Sequence, residues 1–82
     1  MSTMLCKIER FEQAMLLPSS WREMNRYTGS TPYVRRHAKR DAREMSEKDP
    51  SATYILTTWN EELKDWVNKQ FFRDGYEVDT LF

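Results

Sequence analysis

The 82-residue chain has one cysteine, one histidine, two glycines and three prolines, and its 13 Lys/Arg and 13 Asp/Glu leave no net charge. Each shortage excludes something. A lone Cys6 forms no intrachain disulfide, which fits a reducing, cytoplasmic setting, and its apolar neighbours make it a small core residue. A single histidine, His37, leaves no Cys/His metal spacing, and Asp74, Glu77 and Asp79 match no calcium loop. There is no Gly-rich phosphate loop and no nucleophile elbow, so no enzyme, metal or cofactor is expected. His37 and Asp41, four residues apart, read as a surface hydrogen bond, not an acid–base dyad. No apolar run approaches the ~20 residues that cross a bilayer. The opening "MSTMLCKIERFEQ" meets charge at Lys7 before a secretory core can build, so no membrane role is expected. Few Gly and Pro also argue against a β-rich or disordered chain. Zero net charge removes an overall positive field as an argument for nucleic-acid binding.

What is present is aromatic and charged. Three Trp, four Tyr and four Phe supply a core for one small domain, residues 1–82. The charge is unevenly placed. Residues 1–48 hold ten basic and six acidic side chains, a net +4, and residues 49–82 hold three basic and seven acidic, a net −4.

Spacing predicts an all-α fold, a small bundle of three to four helices with an extended C-terminal tail. Met4, Leu5, Ile8, Phe11, Met15 and Leu16 recur at three- and four-residue steps, giving a helix over about 3–17 that Pro18 stops. Ser20 with Glu23 is a capping box for a helix over 20–28, with Trp21, Met24 and Tyr27 inward and Gly29 ending it. Thr31 and Pro32 open a third helix over 32–48. "ATYILTT" reads locally as a strand. Yet Ala52, Ile55, Leu56, Trp59, Leu63, Trp66, Val67 and Phe71 hold one helical phase, and Asp49-Pro50 resembles another cap. A fourth helix over 50–73 is therefore predicted, closed by Gly75, with a short strand at 52–58 before the last helix as the alternative.

The third helix carries the most informative pattern. Arg35, Arg36, Lys39, Arg40 and Arg43 share one arc of about 140°, and Val34, Ala38, Ala42 and Met45 lie on a separate apolar arc. Guanidinium groups match phosphate oxygens in pairs, so this face suits a nucleic-acid backbone, and it suits an acidic protein surface too. A solvated face is the plainer reading, because Glu44 follows Arg40 by four residues and Glu47 follows Arg43 by four. Residues 21–40 also resemble the order of a helix-turn-helix unit, with Asn25 where a small residue is usual and Val34 one position early. It is read as a generic αα-hairpin. In that arrangement Thr31 and Tyr33 join the arginines at the DNA.

A second candidate surface is apolar. Trp59, Trp66, Phe72, Leu81 and Phe82 are candidates for a protein interface or a homodimer contact, since a domain this small has trouble covering them all. The expected function is that of a non-enzymatic DNA-binding regulator using the basic face of 32–47. The alternative is a protein-binding adaptor or inhibitor, of the kind viruses encode against host machinery.

Overall fold

The computed structural model describes residues 3–12 and 21–79. Pro18, Ser20, Leu81 and Phe82 lie outside them. The described chain overturns the all-α expectation. It runs β1 (Thr3–Glu12), β2 (Trp21–Ser30), α1 (Tyr33–Lys48), β3 (Ala52–Asn60), β4 (Asp65–Arg73) and β5 (Tyr76–Val78). The strands form one sheet in the order β2-β1-β3-β4-β5, antiparallel throughout. Because β1 opposes both of its neighbours, β2 and β3 run parallel, and α1 is the crossover between them, a split β-α-β unit.

The helix expected over 3–17 is a strand where the chain is described. Cys6 pairs with Tyr27 on one side and with Thr58 on the other. Alternation then sends Met4, Cys6 and Ile8 toward α1, and Leu5, Lys7, Glu9 and Phe11 to the far side. Residues 21–30, expected to be a capped helix, form the edge strand β2, so there is no helix-turn-helix unit. Trp21 and Met24 are both 38% exposed, not inward. Met24 is skipped in the pairing of Ile8 with Asn25 and Glu9 with Glu23, a bulge that kinks this edge.

The helix expected over 50–73 is a hairpin. The short strand weighed for 52–58 is present as β3, but a second strand follows it. Every residue from Ala52 to Thr58 is buried, and Ala52, Tyr54 and Leu56 of this central strand pack beneath α1. Asn60 Oδ1 accepts the Leu63 N–H across the β3–β4 turn, and Asn68, at φ 57°, sits in a break in the β3–β4 register. Asp74 and Gly75 both have positive φ, 55° and 84°, between the paired Arg73 and Tyr76. Two such residues form the twisted turn that right-handed hairpins need. Gly75 is thus a turn residue and not a helix cap.

The helix read at 32–48 is present as α1. Its N-cap is Pro32, with no side-chain capping bond, and Asp49 is its C-cap, so Asp49-Pro50 ends one helix instead of starting another. Val34, Ala38, Ala42 and Ser46 form its buried stripe, packed with Cys6, Ile8, Ala52, Tyr54, Leu56 and Phe72. The small residues let the helix lie close on the sheet. Ser46 Oγ donates to the Arg43 carbonyl at 2.9 Å and accepts the Gly75 N–H at 3.0 Å, tying α1 to the β4–β5 turn.

A polar network anchors the end of α1. Arg10 Nε donates to Asp49 Oδ2 at 2.6 Å, the Tyr54 hydroxyl donates to the same oxygen at 2.8 Å, and Ser51 Oγ donates to Oδ1 at 2.7 Å. Arg10, then Ser51, hold the Asp49 carboxyl well below the usual carboxylate range, against the opposing effect of burial. A depressed folded-state pKa contributes stability above the unfolded value of ~3.9 and loses it as pH falls below that value. Asp49→Asn is therefore expected to cost about 2 kcal/mol at pH 7. The gap from wild type should narrow between about pH 4 and pH 2. Urea unfolding across that range measures it, and a gap independent of pH would refute the assignment.

Candidate functional site

With one stripe of α1 pressed on the sheet, its opposite arc faces outward. The five predicted cations do not share one fate. Arg35 turns back over the sheet, where Nη1 donates to Thr58 Oγ1 at 3.1 Å and Nη2 to Gln70 Oε1 at 2.6 Å. Those acceptors are neutral, so the charge is not cancelled, but the N–H groups of Arg35 are engaged by the sheet. Lys39 pairs with Glu77 at 3.2 Å. The Gln70 amide, then Lys39, with a smaller effect of the Arg43 charge, hold the Glu77 carboxyl below its ordinary range, against some burial. Arg40 lies 3.8 Å from Asp41, at the loose end of an ion pair.

Asp41 is already engaged. It accepts the Tyr27 hydroxyl at 2.8 Å and lies 3.4 Å from His37 Nε2. Burial, with the Asp41 carboxylate, pushes the Tyr27 phenol up to about 12. The His37 ring also packs on Tyr27, with centroids 5.5 Å apart.

Arg36 and Arg43 have no carboxylate within ion-pair distance among the described residues. The two pairs expected from spacing, Arg40 with Glu44 and Arg43 with Glu47, do not close. Neutralisation by the acidic second half is also partial: of its acids, Asp49 and Glu77 reach cations of the first half, at Arg10 and Lys39. Two shallow grooves follow the exposed arc. One, of about 380 Å³, lies among Arg36, Lys39, Arg40, Arg43, Glu44, Glu47 and Gly75. The other, of about 360 Å³, lies among Tyr33, Arg36, His37 and Arg40. Arg36 and Arg40 border both. Thr31, the remaining predicted contact, is half-buried in the turn before α1.

The aromatic candidates fall elsewhere. Phe72 is fully buried in the core and offers no surface. Trp59 and Trp66 are half-buried and cross-strand paired, edge to face at 5.3 Å, on the sheet face away from α1. Lys7 Nζ lies 4.3 Å from the Trp66 ring centre and the Arg26 guanidinium 5.5 Å from it. Sequence reading missed this pair of cations. The signal is the register that sets Lys7 opposite Arg26, and it exists only once β1 and β2 are known to pair.

Among the described residues no three metal-ligating side chains converge, and no helix is long and apolar enough to cross a membrane. No family model, no curated protein and no solved structure matches the chain.

Proposed function

We propose that the protein is a non-enzymatic nucleic-acid-binding protein that holds the sugar-phosphate backbone along the exposed arc of α1. One observation carries this reading: Arg36, Arg40 and Arg43 border one groove on the exposed arc of α1, and among the described residues neither Arg36 nor Arg43 has a carboxylate within ion-pair distance. Such groups engage phosphate oxygens by charge-assisted hydrogen bonds without first breaking a salt bridge. A broad acidic protein surface fits less well. It would lie over Glu44 and Glu47, which line the same groove. A strand of spaced phosphates passes between them. We place the protein in a reducing compartment, where the one cysteine, buried at Cys6, stays a thiol.

The test is salt dependence. With three phosphates neutralised, affinity should fall roughly twenty- to forty-fold between ~50 and ~200 mM salt, whether the strand is single or double. Fluorescence anisotropy with labelled mixed-sequence DNA and RNA reads this directly. No binding to any of these at ~50 mM salt would overturn the proposal.

A further inference from the structure

Resting on that reading, we infer that the ligand is a single strand, and that Tyr33 stacks one of its bases while Arg36 and Arg40 hold the adjacent phosphates. Tyr33 begins α1 and is 73% exposed, so it contributes little to the core. Its hydroxyl has no hydrogen-bond partner among the described residues. It lines the same groove as Arg36, His37 and Arg40. Arg36 and His37 follow it by three and four residues, which sets all three on one helix surface. His37 is held by Asp41 and by the Tyr27 ring. Among the described residues that line this groove, Tyr33 is thus the one ring with an unoccupied face.

An exposed ring beside guanidinium groups discriminates between kinds of nucleic acid. In a duplex the bases are stacked on each other, and a ring outside the stack meets sugar and phosphate. In a single strand the bases are free, and stacking on an aromatic side chain contributes to affinity without regard to sequence. Phosphates then lie within reach of Arg36 and Arg40, which also border the groove that holds Arg43.

The experiment compares four probes at ~50 mM salt: a ten-nucleotide single strand of DNA, the same sequence as RNA, the matching duplex, and an abasic strand of the same length. Wild type should bind both base-bearing single strands more tightly than the duplex or the abasic strand. Tyr33→Ala should weaken single-strand binding roughly tenfold or more and leave abasic binding unchanged, whereas Tyr33→Trp should retain it. If Tyr33→Ala binds like wild type, or if the abasic strand binds as tightly as the base-bearing one, the stacking role is refuted while the phosphate reading stands. If wild type binds none of the four, both fail together.

Discussion

Phe72→Ala is expected to destabilise the protein by about 3–5 kcal/mol. Phe72 sits on β4, opposite Tyr54 of β3, and is fully buried beneath α1. The core cluster it belongs to takes Val34, Ala38 and Ala42 from the helix, with Met45 packed against it. The two alanines have no side chain that can swing into the space a missing ring leaves. The loss then includes the contacts of the cavity walls as well as the transfer of the ring. A domain of this size has a total stability of only about 4–12 kcal/mol. The substitution removes a large share of it. Urea or thermal unfolding measures the loss. Leu63→Ala is the control, because Leu63 is 67% exposed in the β3–β4 turn and should change stability by less than about 0.5 kcal/mol. A small effect at Phe72 would mean that the core is not where β4 meets α1.

Reversing Arg36, Arg40 and Arg43 to Glu together should lower nucleic-acid affinity by roughly a hundredfold or more at ~50 mM salt. On the proposed reading, three phosphate contacts would disappear and three repulsions would replace them. The fold should survive, since these side chains are exposed and, among the described residues, their only ion pair is the loose one from Arg40 to Asp41. New like-charge pairs arise with Glu44 and Glu47, at about 0.5 kcal/mol each. The triple Gln variant avoids them and should show an intermediate loss with a flattened salt slope. Arg35→Gln is the informative contrast. The N–H groups of Arg35 are engaged by Thr58 and Gln70, so its loss should leave the salt slope intact. Equal binding by wild type and the triple Glu variant would remove α1 from the interface.

The same residues show what was legible in the sequence. α1 was readable because one element both starts and stays in phase: Pro32 precedes it, and Val34, Ala38 and Ala42 keep a single narrow stripe. β1 was not, because a central strand buries apolar side chains on both faces. Met4 and Ile8 face α1 while Leu5 and Phe11 face away, and their union mimics a helical spacing. In β3 the local preference of "ATYILTT" pointed the right way, and the phase running on through Leu63 and Trp66 misled. Leu63 is an exposed turn residue, and its phase is accidental. Asp74-Gly75 is a strong hairpin signal that reads as a helix cap once a helix is assumed before it.

At the site, the segregation of arginines onto one arc needed only the helix. Which of them stay free needed the sheet. Arg35 and Lys39 are claimed by Gln70 and Glu77, on β4 and β5, more than thirty residues away in sequence. No local pattern contains that information.

The placement of β1 between β2 and β3 has a consequence for how the chain comes to be folded. Its partner in β3 is distant, Cys6 against Thr58, and the sheet face that α1 packs on is incomplete until β3 is in place. A lone two-stranded β1–β2 hairpin is marginally stable in water. On a ribosome adding about 5–20 residues per second, β1 therefore waits roughly 2–10 s between its own synthesis and that of β3. During that interval its apolar side chains and one hydrogen-bonding edge are open to other strands.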